Sequence, residues 1–514
     1  METVTQLDPR RWWALAALVP VALALNIDAT VLSLAIPTLS GALHASTAEL
    51  QWFVAGYTLV FAAVMVPAGM LGDRYGRKRL LLAALVLFGA ASAACAYAPS
   101  AGSFIAARAV LGLAAGIATP LTMSVLPVLF PERERGRAVA VVLSATMLGY
   151  PIGPILGGWL LSSFWWGWVF LINVPVVAAA LAAVWFLLPE SRSSERSRLD
   201  AAGVALASAG LALLVYGVIQ AGQNGWSNGG AIGEILAGAV VLTVFALWER
   251  RVDEPLLDLG LFRSAGFTWG TILGTAVSFA LFGLLFAVPQ YFQDVVGVNP
   301  MGSGLRLLPM MGGMVAGAGL GDALARWIGP KVTVALGFAV FACALAAGSR
   351  TGLGNGYGFA AAWITSIGFG TGLSMPTAMN AALGALSAER SGVGTGAIQA
   401  LRMVGGSFGA AILGSILNSG YRGRLDGAAL PAALAHTARG SVVAGVAVAR
   451  TLGSPVLLHS VRVAFLHGMS LSLLVSAAVA VAGVPLALRF LPRAAGQTAP
   501  ADTASGRSPH ELAA

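Results

Sequence analysis

Apolar runs of about 20 residues follow one another along nearly the whole of this 514-residue chain. A helix rises about 1.5 Å per residue, so about 20 residues cross the hydrocarbon layer of a bilayer. In that layer every backbone N–H and C=O must be satisfied within the segment, which a helix does unaided. Runs of this length, repeated, imply an all-α membrane protein. Composition agrees: 57% of residues are hydrophobic and 10% charged, against about 25% charged in a soluble chain. Fourteen spans are expected, at about 12–37, 50–71, 79–98, 103–129, 138–162, 168–188, 202–221, 231–248, 267–291, 304–325, 331–348, 358–382, 393–417 and 466–491. Arg10 and Arg11 precede an apolar run that continues to Pro37 without a small-residue cleavage site, so it reads as the first span rather than a signal peptide.

The net charge of +9 does not point to nucleic acid. The positives lie in short clusters between spans, as the positive-inside rule requires, and not on one phosphate-binding face. With the N-terminus in the cytoplasm the even-numbered loops should be basic. They carry Arg74, Arg77, Lys78 and Arg79, then Arg133, Arg135 and Arg137, then Arg192, Arg196 and Arg198, Arg250, Arg251 and Arg263, Arg326 and Lys331, and Arg390. The first four outside loops have no Lys or Arg; Arg350 and the last outside loop are the exceptions. An even number of spans puts both termini inside. Cys95 and Cys343 both fall within apolar runs and read as small core residues without a disulfide. No phosphate loop of the G-x-x-x-x-G-K-[ST] type occurs, the five histidines are scattered, and no nucleophile–base arrangement stands out. The expectation is therefore neither an enzyme nor a metal- or cofactor-binding protein.

An ionisable side chain inside a span costs about 2.5–3.5 kcal/mol on insertion scales, so each one is a functional candidate. Asp28 is the only acid well inside a span; Arg108, Arg306 and Arg402 are the intramembrane bases. Glu49, Glu234 and Asp294 fall near outer ends, and Asp322 near the inner end of span 10. Asp28 and Arg108 lie about nine and five residues from the outer ends of their spans, depths that differ by roughly 6 Å. An acid and a base at like depth suggest a pair whose making and breaking couples proton binding to conformation: beside a positive charge a carboxylate stays ionised, and without it burial favours the protonated form. The alternative is a static ion pair that helps assemble helices.

Two further constellations carry information. Gly69 to Lys78, GMLGDRYGRK, is a charged glycine-rich turn between spans 2 and 3. Gly69, Gly72 and Gly76 allow a tight turn and close helix approach. Asp73, with Arg74 and Arg77 beside it, can cap a neighbouring helix or pair with a base, and so hold one conformer of a two-state carrier closed on the inside. For Arg77, Lys78 and Arg79 the plainer reading is a topology signal. A weak repeat of this turn follows span 10, Leu324 to Lys331, with Arg326 in place of Asp73 and Pro330 in place of Arg77 when Gly329 is aligned on Gly76. In span 5, GYPIGPILGG places Gly149, Gly153 and Gly157 every four residues, followed by Gly158. That stripe suits close helix packing, while Pro151 and Pro154 should kink the helix.

Taken in order, NIDATVLSLAIP (Asn26–Pro37), GMLGDRYGRK, RAVLGLAAG (Arg108–Gly116), GYPIGPILGG and WGWVFLINVP (Trp166–Pro175) resemble the motifs of the fourteen-span drug:proton antiporters of the major facilitator superfamily. The resemblance covers roughly residues 10–490. It implies the major facilitator fold, two six-helix bundles plus two extra transmembrane helices. It also implies alternating-access, proton-coupled export of a hydrophobic small molecule, an antibiotic or drug, across a bacterial cytoplasmic (inner) membrane, with substrate, protons and lipid as partners. The arginine of the span-4 motif is implicated in proton coupling, and the span-5 motif marks exporters. The alternatives are an exporter dedicated to one metabolite and a non-transporting membrane receptor. The chain would divide into a cytoplasmic tail (1–11), an N-terminal bundle (12–190), two inserted helices with their loops (191–265), a C-terminal bundle (266–492) with an outside loop at 418–465, and a disordered tail (493–514). Relatives with broad cationic-drug specificity often carry extra acids in spans 2, 10 or 13. Here spans 2 and 13 have none, so a neutral, zwitterionic or anionic cargo fits at least as well.

Overall fold

The structure is a computed structural model that describes residues 11–192, 200–252, 255, 259–386, 391–425 and 431–492. The expected tail at 493–514 and residues Arg196, Arg198 and Arg390 lie outside it. Among the described residues there is no strand. The helices are α1 (Arg11–Ala42), α2 (Thr47–Tyr75), α3 (Arg77–Ala96), α4 (Ala101–Ser124), α5 (Leu126–Leu129), α6 (Glu132–Ser163), α7 (Trp168–Leu171), α8 (Asn173–Leu187) and α9 (Ala201–Asn224). They continue as α10 (Gly229–Glu249), α11 (Ala265–Gln290), α12 (Pro300–Trp327), α13 (Pro330–Gly348), α14 (Tyr357–Leu383), α15 (Ser391–Arg424), α16 (Ala432–Gly440), α17 (Val442–Thr451) and α18 (Pro455–Phe490). A π-helical turn, Tyr291–Val296, continues α11.

Short polar residues set where these helices begin. Ser46 and Glu49 form a capping box at α2, and Ser100 and Ser103 do so at α4. Asp200, Asn228, Asn299, Ser441 and Ser454 accept from backbone N–H groups at the starts of α9, α10, α12, α17 and α18. The repeated turn has a backbone reason. Gly76 precedes α3 with φ +110° and Gly329 precedes α13 with φ +82°, a region that residues with a Cβ rarely enter.

Twelve helical segments among the described residues are long and apolar enough to cross a membrane, against the fourteen expected. Expected spans 5 and 12 correspond to α6 and α14, which run 32 and 27 residues but fall outside that set. Gly, Ser and Thr dilute the second. The two prolines do not break α6, which runs as one helix. The expected outside loop at 418–465 is largely helical: α15 continues to Arg424, α16 and α17 fill the middle, and α18 already begins at Pro455. Cys95 is buried and Cys343 is exposed; both are free thiols. An apolar run places a residue on a helix but not on a face, which is why Cys343 departs from the core position expected of it.

Two cores organise the bundle. One is built from residues of α1–α8 and receives Phe286 from α11; the other is built from α11–α18 and receives Leu34 from α1. Helix α9 lies over the seam between them. Val215, Val218 and Ile219 pack with Ala55 and Leu59 of α2 and with Ala411 of α15, and Ser415 Oγ donates to the Val218 carbonyl at 3.1 Å.

Candidate functional site

The centre of the first core holds one ion pair. Arg108 Nη1 donates to Asp28 Oδ2 at 2.8 Å, and their side chains are 2% and 0% exposed. The RAVLGLAAG stretch explains how a guanidinium comes to be there. Gly112 and Gly116 lie one and two turns beyond Arg108 on the same face of α4 and abut the backbone of α2 at Tyr57 and Phe61. With α2 and α4 that close, Arg108 Nε donates to the Phe53 carbonyl at 3.1 Å and the guanidinium carbon sits 4.4 Å from the centre of the Tyr57 ring. The other carboxylate oxygen, Asp28 Oδ1, accepts from Asn173 Nδ2 of α8 at 3.3 Å, and that amide also lies 3.4 Å from Ser92 Oγ of α3. Five helices thus meet at two charges. Both charges are neutralised and hydrogen-bonded, as burial demands.

Asn173 and Ser92 were not singled out from sequence. Asn173 stands inside the WGWVFLINVP stretch, so its signal was present, but an uncharged polar residue in a span draws little notice.

The span-5 stripe packs on the same segment of α1. A Cβ added at Gly149 would meet Asn26 Cβ at 2.7 Å; at Gly153 it would overlap Thr30, and at Gly157, Val31. Thr30 Oγ1 donates to the Asn26 carbonyl at 3.0 Å, so its polar group is spent within α1. Gly158 instead faces the start of α12, where its Cβ would lie 2.9 Å from Met301 Cα, and Gly304 abuts the Pro154 carbonyl. The stripe therefore touches α1 on one side and the second half on the other.

The charged turn closes within the first half. Arg77 Nε donates to Asp73 Oδ1 at 2.8 Å and Nη1 to the Ser124 carbonyl at 2.9 Å. Glu190 Oε1 accepts from the backbone N–H of Lys78 at 3.2 Å, its Oε2 lies 3.5 Å from Arg79 Nε, and Lys78 Nζ donates to the Trp185 carbonyl at 2.6 Å. Glu190, not anticipated from sequence, is the residue on which this turn rests. Arg74 lies beside the Tyr75 ring, 5.4 Å from its centre. Among the remaining ionisable candidates, Glu49 belongs to the α2 cap, Asp322 pairs with Arg326 at 3.2 Å with both side chains mostly exposed, and Arg402 bonds Ser278, Gln399 and Met375. The Arg306 guanidinium lies 5.8 Å from the centre of the Phe292 ring and 5.2 Å from that of the Tyr357 ring.

Side-chain hydrogen bonds between the halves gather toward the end where α1 turns into α2. Gln293 Nε2 donates to the Leu34 carbonyl at 2.9 Å, Gln51 Nε2 to the Ala411 carbonyl at 2.9 Å, and Thr47 Oγ1 to the Gly440 carbonyl at 2.9 Å. The hydroxyls of Ser40 and Ser441 are 3.3 Å apart, and Ser162 Oγ accepts from the Met301 N–H at 3.1 Å. Inward of these bonds a cavity of about 30 Å³ is left between the halves, walled by α1, α2, Arg108 of α4, α11 and Met403 of α15. Such an arrangement can hold a proton-sensitive charge pair next to a space whose access changes when the halves rock.

Residues 18–410 match the profile of the Major Facilitator Superfamily. The chain is 32% identical over 493 residues to the tetracenomycin C resistance and export protein of Streptomyces glaucescens, covering 93% of this chain and 91% of that one. It is 33% identical over 505 residues to the multidrug efflux pump LfrA of Mycolicibacterium smegmatis, covering 94% and 97%. Among solved structures, a bacterial homologue of the lysosomal transporter Spinster, inward-facing and occupied, superposes with a TM-score of 0.69 at 17% identity over 94% of this chain and 98% of that one.

Proposed function

The chain belongs to the Major Facilitator Superfamily, and on that footing we propose that it exports a hydrophobic small molecule, an antibiotic or drug, in exchange for protons by alternating access. The observation that carries the proposal is the fully buried Asp28–Arg108 pair beside the space between the halves. When the pair parts, the buried carboxylate loses its counter-charge, which favours its protonated form, and the carrier then returns in a different charge state. One proton moving inward releases about 2.3 kcal/mol per 100 mV of membrane potential. The names of the relatives, export and efflux proteins, fit this direction. The relative named for one antibiotic favours, as a second reading, an exporter dedicated to a single metabolite.

The proposal includes fourteen spans in a bacterial cytoplasmic membrane, two six-helix bundles flanking the α9–α10 pair, and both termini inside. Support for the count comes from α6 and α14: at about 1.5 Å per residue each exceeds the ~30 Å hydrocarbon layer. Support for the orientation comes from the basic loops. In that orientation the bonded end is the outer one, and the conformer is closed to the outside.

The test is drug-triggered proton release from everted vesicles acidified inside. Wild-type protein should release protons on drug addition. Asp28→Asn should insert and fold but release none, and full coupling by that variant removes Asp28 from the mechanism and moves attention to Asp322 and the outer-end acids.

A further inference from the structure

The cavity between the halves has a composition that selects cargo. Its walls carry the rings of Tyr57, Phe282 and Phe286 and the thioether of Met403, with aliphatic side chains between them. Flat faces and a polarisable sulfur make a stacking surface for planar aromatic compounds. Two hydroxyls line it, Ser33 and Thr58. Each already donates to a carbonyl of its own helix, Ser33 Oγ to Thr30 at 2.7 Å and Thr58 Oγ1 to Val54 at 3.0 Å. Their lone pairs are left to accept a proton donor such as a phenol.

The charged residue in this lining is a base. Arg108 reaches the cavity, whereas Asp28 is fully buried behind it with both oxygens engaged by Arg108 and Asn173. No carboxylate lines the cavity among the described residues. A second base, Arg402, is the chain neighbour of Met403. Protonation of Asp28 would remove the balancing negative charge and leave the site more positive, so a cationic cargo is disfavoured in both protonation states.

We infer that the cavity, enlarged from its contracted size here, binds a planar aromatic compound without a fixed positive charge. This inference rests on the exporter reading and narrows its substrate. Fluorescein and the methyl ester of rhodamine supply the test, since they share a three-ring xanthene and differ in the sign of charge. Uptake of each into everted vesicles under an imposed pH gradient should favour fluorescein by about tenfold or more, because a cation meets a like charge in a low-dielectric site. Met403→Glu should raise rhodamine uptake and narrow the ratio, and Met403→Gln, of like shape and no charge, should not. Rhodamine pumped as fast as fluorescein by the wild-type protein overturns the inference. So does failure to pump either dye by a protein that still protects an efflux-deficient host from antibiotics, a result that leaves the exporter reading standing. Protection against nothing sinks the exporter reading itself.

Discussion

At the scale of single residues, the Asp28–Arg108 pair is worth more as a unit than as two parts. Removing one member of a buried pair strands the other and costs about 3–5 kcal/mol. Arg108→Ala should therefore lower the unfolding temperature in detergent as well as abolish coupling. Asp28→Asn should lose less stability than Arg108→Ala, because the amide oxygen can still accept from Arg108 although the guanidinium has lost its counter-charge. Arg108→Lys should insert normally yet restore little proton release, since an ammonium cannot at once meet Asp28, the Phe53 carbonyl and the Tyr57 ring as the planar fork does. A lysine variant with wild-type coupling would show that charge alone suffices. The two charges were legible in the sequence because charge in a span is costly and rare. Asn173 and Ser92 were not, because an amide or hydroxyl can satisfy itself within its own helix, and only the packing of α8 and α3 against α1 turns these two toward the carboxylate.

Elements show which glycines the packing needs. Sequence spacing treats Gly69, Gly72 and Gly76 alike, but they sit in different surroundings. A Cβ at Gly69 meets nothing within 4 Å, at Gly72 it overlaps Leu121, and at Gly76 it meets Glu190 in a backbone region with φ +110°. Gly69→Ala should export at the wild-type rate, and Gly76→Ala should lose about 1 kcal/mol or more of stability with slower turnover. Equal efflux from the two variants would mean that the turn tolerates rearrangement. In the α1–α6 seam, Gly153→Leu forces a side chain into Thr30 and parts the helices, at about 1–3 kcal/mol for overpacking. The variant should reach the membrane in normal amount and fail to protect cells; retained protection would reduce the stripe to generic packing. The four-residue spacing of Gly149, Gly153 and Gly157 was legible as a packing surface. Its partner was not, since spacing specifies a face and says nothing about which helix covers it.

For the whole molecule, helical content and the two-part plan follow from repeated apolar runs and a repeated turn. The segment between α15 and α18 mixes alanine-rich helical stretches with charged residues, and the sequence does not say what those stretches rest on. Their helicity depends on the surface they rest on: Ser441 caps α17, and Tyr421 Oη donates to the Ala438 carbonyl at 2.7 Å. Helices α16 and α17 thereby form a strap that belongs to the second half and reaches the α1–α2 turn of the first, through Ser40 and Thr47. If the carrier works by rocking, this contact has to break once in every cycle. The ideal Cβ of Gly41 lies 3.9 Å from Val443 Cγ1, within reach of a disulfide after small adjustment. In a Cys343→Ser background, oxidised Gly41→Cys/Val443→Cys should accumulate in the membrane, still bind substrate from the inner side and export none, and a reductant should restore export. Either single variant should be unaffected by oxidant. Export at the wild-type rate by the cross-linked protein, with bond formation verified by mobility on a gel, would mean that the outer end never parts along this line, and the route out would have to be sought elsewhere between the halves.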